Sequence, residues 1–288
     1  MEHSPLPRQR LSSVDAREIR NMEPSESMKK IGIVGGVAWP STVHYYSELC
    51  RRSERWHLAR NPQGVSSTPE MSIESLDVNK AVSYLGIDGD EESWEQFDDY
   101  HRAALQRLET SGADFAVIAS NTAHHRFASI VSGIRMPIIS VFEVVAEECA
   151  RMGAKEVLIL GTPLTMRSAR LREEFAKYGI EGAGPRDEAT RAETARLISA
   201  LQCGHLDGAS ERLGRIAKIS SERQSIAQSV VCLACTELPL AFQKEKMLAT
   251  FKYDDVSYIN STAVHINAAF EFASNGSVDR KHWTGQMW

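Results

Sequence analysis

Two short segments carry the side chains best suited to moving a proton. Ala234-Cys235-Thr236-Glu237-Leu238 sets a thiol beside a hydroxyl and a carboxyl group, and Ser120-Asn121-Thr122-Ala123-His124 sets a hydroxyl beside an amide and an imidazole. A thiol titrates close enough to neutrality for acid/base work, whereas a serine hydroxyl ionises far less readily and needs an activating partner. Extended backwards, the segments align without gaps, Asp114 to Thr122 against Ser229 to Glu237, so Ser120 and Cys235 fall on equivalent positions. The Cys232-x-x-Cys235 spacing also fits a redox pair or half a zinc site. Cys232 lies inside an apolar run, though, where residues three apart point to opposite faces, and no second ligand pair accompanies it, so it reads as a buried core thiol with no metal.

The elements that must position these residues come in pairs. Both segments are continuous apolar runs breaking into small polar residues, the pattern of buried parallel strands. A second pair, Lys29 to Gly36 and Lys155 to Thr162, consists of apolar runs closed by a glycine, followed by helical stretches from Val43 to Arg52 and from Thr165 to Tyr178. Helices over His101 to Ser111 and Ala209 to Ile219 complete βαβ units. The chain reads as a duplication: an α/β fold of two pseudo-symmetric lobes, each a mostly parallel sheet flanked by helices. Ligands of open parallel sheets bind beyond the carboxyl ends of the strands, which places Ser120 and Cys235 on either side of a cleft between the lobes. A helix N-terminus after the Cys235 strand would favour thiolate and could hold a carboxylate. The lobes are expected over 29–145 with 262–275 and over 146–261, between a flexible extension at 1–28 and a tail at 276–288 that carries Trp283 and Trp288.

Composition removes several other classes. With 42% hydrophobic and 25% charged residues, the chain is an ordinary globular one. A net charge of -5 with scattered Lys and Arg argues against nucleic acid, and no apolar run is long enough to span a bilayer or to form a secretory signal. Five widely spaced cysteines read as reduced thiols, and the expected location is cytoplasmic. Gly32-Ile33-Val34-Gly35-Gly36 resembles a dinucleotide-binding turn but lacks its full glycine spacing, and Asp77 lies too far on to be the ribose-binding acid.

Gly35-Gly36-Val37-Ala38-Trp39-Pro40-Ser41-Thr42, Ser120-Asn121-Thr122-Ala123-His124 and Ala234-Cys235-Thr236-Glu237-Leu238 resemble, in order and separation, three signature segments of the aspartate/glutamate racemases. The resemblance runs over residues 29 to 275. It implies a small acidic amino acid held between two lobes, no cofactor, no metal and a homodimer. It also implies catalysis by two thiols, one removing the Cα proton and the other returning a proton from the opposite face. Cys235 matches one of them. Ser120 stands where many relatives carry the second, and some relatives with Thr there use the surviving thiol on the L-enantiomer, which implies one-sided turnover.

By the same resemblance Asn121, Thr122, Thr236 and Glu237 hold the substrate's α-carboxylate and ammonium, with helix capping as a compatible second role. Ser75, Thr162 and Arg191 set the length of the pocket, Arg191 as the cation for the distal carboxylate or simply as a solvated helix arginine, with Arg186 and Arg196 as substitutes. His124 either poises Ser120 or only packs, and His125 has a weaker claim. His265 matches a recurrent position of the family or is a satisfied core histidine, and Asn260 replaces the acid usual before it. Arylmalonate decarboxylases and maleate isomerases share this fold and also vary one cysteine, so such an enzyme, or a catalytically impaired amino-acid-binding protein, is the alternative.

Overall fold

A computed structural model describes residues 28–62, 67–224 and 230–275. The N-terminal extension, Ser229 and the C-terminal tail with Trp283 and Trp288 lie outside the described residues.

Strands β1 (Ile31–Gly35) and β3 (Phe115–Ile118) are buried along their whole length, as their unbroken apolar sequences require. They pair in parallel with β2 (Met71–Ser75) and β4 (Ile138–Ile139) in the order β2-β1-β3-β4. Around this sheet lie α1 (Trp39–Arg60), α2 (Val78–Ser83), α3 (Glu95–Thr110) and α4 (Phe127–Ile130). The second lobe repeats the arrangement. Strands β5 (Glu156–Gly161), β6 (Glu181–Ala183), β7 (Val230–Ala234), β8 (Thr250–Tyr253) and β9 (Val256–Asn260) run in the order β6-β5-β7-β9-β8, and only β8 is antiparallel to its neighbour. Its helices are α6 (Pro163–Arg167), α7 (Ala169–Ala176), α8 (Glu188–Gln202) and α9 (Ala209–Gln224). Val34 pairs with Ile118 and Leu160 with Leu233, so β1–β3 and β5–β7 share one register, in agreement with the ungapped alignment.

Two further helices exchange lobes. Helix α5 (Val141–Arg151) leaves the first sheet after β4, yet its Val141, Phe142, Val145, Ala146 and Cys149 pack with Val157, Ile159 and Cys232 of the second. Helix α10 (Ser261–Asn275) leaves the second sheet after β9, and its Ile266, Ala269 and Phe272 pack with Ile31, Ile33 and Phe115 of the first. The lobe boundary expected after residue 145 thus falls inside α5. Capping starts both helices: Ser140 Oγ accepts from Glu143 N, and Asn260 Oδ1 accepts from Thr262 N and Ala263 N. Asn260 Nδ2 donates to Lys246 O at 2.9 Å.

Three helices are longer than their apolar spacing indicates. Helix α1 starts at Trp39, since Pro40 in the first turn has no donor to lose, and it runs to Arg60, whose guanidinium lies 3.8 Å from the centre of the Trp56 ring. Helices α3 and α9 likewise begin or end beyond their expected limits. The single helix expected from Thr165 to Tyr178 is broken at Ser168, which leaves the helical region (φ -57, ψ 115) and accepts Leu171 N on its own hydroxyl to start α7. Among the described residues no helix is long and apolar enough to cross a membrane.

His265 on α10 locks the exchange. Tyr45 of α1 donates its hydroxyl to Nδ1 at 2.8 Å, and Nε2 donates to the carbonyl of Ile139 at 2.9 Å. Burial lowers the pKa of His265 to about 3 and those of His124 and His125 to about 4. Each histidine folds neutral but accepts a proton near pH 6.5 when unfolded, so the unfolded chain binds more protons between these values. Stability is full above about pH 6.5 and falls as the pH drops toward 4. Urea unfolding should show a loss of ~2 kcal/mol per buried histidine between pH 7 and pH 5. An unchanged midpoint over this range would refute the neutral, buried assignment.

Candidate active site

Strand β7 ends at Ala234, and the chain turns at once into Cys235, Thr236 and Glu237 before a four-residue 3-10 turn, Leu238–Ala241. The Cys235 thiol donates to Glu237 Oε2 at 2.9 Å, and Thr236 Oγ1 donates to the same oxygen at 3.0 Å. Cys235 and Glu237 are only 6% and 5% exposed. Burial first, then the charge and hydrogen bond of Glu237, push the Cys235 thiol well above its ordinary value, and the backbone amides of Glu237 and Leu238 oppose this only in part. The helix N-terminus expected to favour a thiolate is a four-residue 3-10 turn, and burial, with the adjacent carboxylate after it, favours the thiol instead.

In the first lobe Ser120 occupies the corresponding place, just past the end of β3, and is partly exposed. His124 is wholly buried in the 3-10 turn Thr122–Arg126, stacked on Phe127 at 5.3 Å, and its Nδ1 donates to the carbonyl of Ser120 at 2.8 Å. The ring therefore fixes the Ser120 backbone and leaves the hydroxyl without an imidazole partner in this arrangement.

Hydroxyl and amide groups join the two strand ends. Ser41, in the first turn of α1, donates to Thr236 Oγ1 at 2.7 Å. Asn121 Nδ2 donates to Ser261 Oγ at 3.3 Å, and Ser261 donates to Leu233 O at 2.8 Å, next to the end of β7. Oδ1 of Asn121 is buried without a protein partner, an acceptor left for a donor such as an ammonium group. Thr162 caps α6 and shares a 3.0 Å hydrogen bond with Thr165, whose hydroxyl lies 3.4 Å from His125 Nε2. Thr122 is half-buried beside Asn121.

Ser75 is exposed at the end of β2, against Gly36. Gly36 has φ +89, and a Cβ there would lie 2.2 Å from Leu76 O, so this turn admits only glycine. Arg191 is placed differently from a free cation: its guanidinium donates to Glu188 Oε2 at 2.9 Å and to the carbonyls of Pro185 and Arg186 at 2.8 and 3.1 Å. Arg186 is exposed, and Arg196 pairs with Glu193 at 2.8 Å. A groove of about 340 Å³ follows the lobe boundary between His125, Arg126 and Arg167, and neither Cys235 nor Ser120 lines it. Among the described residues no group of three or more His, Cys, Asp or Glu is arranged to hold a metal ion.

Sequence reading passed over Ser41, Ser261 and Thr165. Ser41 lies inside the first signature segment and Ser261 and Thr165 near expected helix starts, but none is close in sequence to Ser120 or Cys235, so spacing did not mark them.

Two α/β lobes of matching strand register carry Ser120 and Cys235 just past equivalent strand ends. The chain belongs to the Asp/Glu/hydantoin racemase family, whose pattern matches residues 34–269. Among solved structures it is similar to an aspartate racemase homologue from Pyrococcus horikoshii, with 29% identity, 86% of this chain and 100% of that one covered, and a TM-score of 0.65. A putative Asp/Glu racemase from Yersinia pestis matches at 23% identity over 85% of this chain and 99% of that one, with a TM-score of 0.68. Glutamate racemase from Campylobacter jejuni, at 17% identity, shares the fold over 85% of this chain and 86% of its own, with a TM-score of 0.55.

If Glu237 holds the thiol protonated, Glu237→Gln removes the charge and the thiol ionises at lower pH. Iodoacetamide labelling of Cys235, followed peptide by peptide against exposed Cys203, should then show its half-maximal rate moved to lower pH. A profile identical to that of the unaltered protein would exclude Glu237 as the cause.

Proposed function

We propose that the protein is a cofactor-independent acid/base enzyme acting on the Cα–H bond of aspartate or glutamate, with Cys235 as its working group and turnover weighted to one face. The observation that carries this reading is the buried Cys235–Glu237 pair at one strand end, set against a serine at the equivalent end. Family membership supports the racemase class, and relatives named for aspartate and glutamate support the substrate.

In the proposed cycle Glu237 takes the Cys235 proton and the thiolate removes the Cα proton, leaving a planar carbanion whose negative charge spreads into the α-carboxylate. Asn121 Oδ1 accepts from the substrate ammonium and the Thr122 hydroxyl holds the carboxylate, while the single hydrogen of Thr236, expected to serve the substrate, is committed to Glu237. Return of a proton from Cys235 restores the same enantiomer with solvent hydrogen incorporated. Inversion requires Ser120 to release a proton from the opposite face, and with His124 bonded to its backbone carbonyl the resulting alkoxide has no imidazole donor to stabilise or reprotonate it. Exchange therefore outruns inversion.

A resting thiol also suits one-faced protonation of an enediolate, the chemistry of the arylmalonate decarboxylase and maleate isomerase reading. Proton NMR in heavy water with each enantiomer of aspartate and glutamate, alongside chiral analysis, separates these readings. Loss of the Cα proton from the L-acid, weak loss from the D-acid, and a fall of at least ~10²-fold in Cys235→Ala are expected. No exchange from any of the four would overturn the amino-acid assignment. Turnover of malonates or maleate would then favour the second reading, and saturable binding without turnover a binding protein.

A further inference from the structure

The acid/base pair belongs to the second lobe, yet one of the groups holding it comes from the first. Ser41 is 4% exposed in the first turn of α1, and its hydroxyl reaches Thr236 at 2.7 Å. A threonine hydroxyl has one hydrogen and two lone pairs. With one lone pair occupied by Ser41, the Thr236 hydrogen is directed to Glu237 Oε2, the same oxygen that accepts the Cys235 thiol. The chain therefore runs Ser41 to Thr236 to Glu237, with Cys235 entering at its end, and each hydroxyl polarises the next.

We propose that Ser41 is a positioning residue for Cys235, acting across the lobe boundary through Thr236 and Glu237. The inference rests on the reading of Cys235 as the working group. Two donors on one carboxylate oxygen compete for it, so a firmly held Thr236 hydrogen weakens the acceptor toward the thiol and allows the thiol to release its proton at lower pH. Without Ser41 the Thr236 hydroxyl is free to turn away, Oε2 accepts from the thiol alone, and the thiol holds its proton more tightly. Glu237 is the charged side chain facing Cys235, and the backbone amides of Glu237 and Leu238 complete the thiol's polar surroundings. His44, on α1 three residues past Ser41, has its pKa lowered by burial and so adds no charge near neutrality.

The test is Ser41→Ala beside Ser41→Thr, which keeps the hydroxyl, and Thr236→Val, which breaks the same chain one step later. Two readouts apply to each: Cα-proton exchange from L-aspartate and L-glutamate against pH, and the pH profile of iodoacetamide labelling at Cys235. Ser41→Ala should lower kcat roughly fivefold to tenfold with KM within about twofold, and move the rising limb of both profiles to higher pH. Ser41→Thr should restore both, and adding Ser41→Ala to Thr236→Val should produce no further loss. A role limited to fold stability would lower the amount of folded protein and leave the profiles in place. Unmoved profiles in Ser41→Ala, with exchange intact in the unaltered protein, overturn the inference and leave the functional reading standing. If no amino acid exchanges at all, the labelling profile still decides: a shift supports the Ser41 chain, and its absence refutes it.

Discussion

The exchange of α5 and α10 is the constraint from which the geometry of the site follows. Each helix starts at the end of one sheet and covers the other, so the lobes cannot separate as rigid units without stripping apolar surface from both. Phe272 meets Phe115 edge-on at 4.6 Å, an aromatic contact worth ~1 kcal/mol beyond its buried area. His265 supplies direction as well as cohesion, since its two nitrogens bond one group on α1 and one at the end of β4. With the sheets held this way, β3 and β7 present their carboxyl ends to a common space, and the short polar side chains there span it.

The chemistry of that space is asymmetric although the backbone is nearly symmetric. On the second-lobe side a thiol, a hydroxyl and a carboxylate share one oxygen out of contact with bulk water, where electrostatic effects are strong. On the first-lobe side the corresponding hydroxyl is partly open, and the neighbouring imidazole faces backbone. Burial and the adjacent carboxylate favour the protonated form of Cys235, so the thiol must give up its proton before it could act as a base.

Most of the architecture was legible in the sequence, because a duplicated pattern of apolar runs is a strong signal. The register of Ser120 with Cys235 came from the ungapped alignment of the two segments, and the burial of Cys232 from its place inside an apolar run. Helix ends were less legible: α1 continues beyond its apolar positions through Arg60 stacked on Trp56, and the break at Ser168 depends on a cap that resembles any other serine. Half of the lobe exchange was expected, since 262–275 was assigned to the first lobe, but the boundary drawn after residue 145 missed that α5 covers the second sheet from its first turn. At the site, residue types indicated Cys235 and Glu237, but the sign of the thiol's shift came from burial, which spacing does not report. Arg191 illustrates the same limit, as nothing in its neighbourhood announces that the carbonyls of Pro185 and Arg186 engage it.

The exchanged helices also impose an order on biosynthesis. The first sheet is complete once Ile139 has been added, but the face formed by Ile31, Ile33 and Phe115 is covered by α10, the last described helix of the chain. At ordinary rates of synthesis the 136 residues from 140 to 275 take about 7 to 27 s to add. Throughout that interval the part of this face not covered by Tyr45 and Leu49 of α1 waits for the Ile266, Ala269 and Phe272 side chains that bury it in the finished chain.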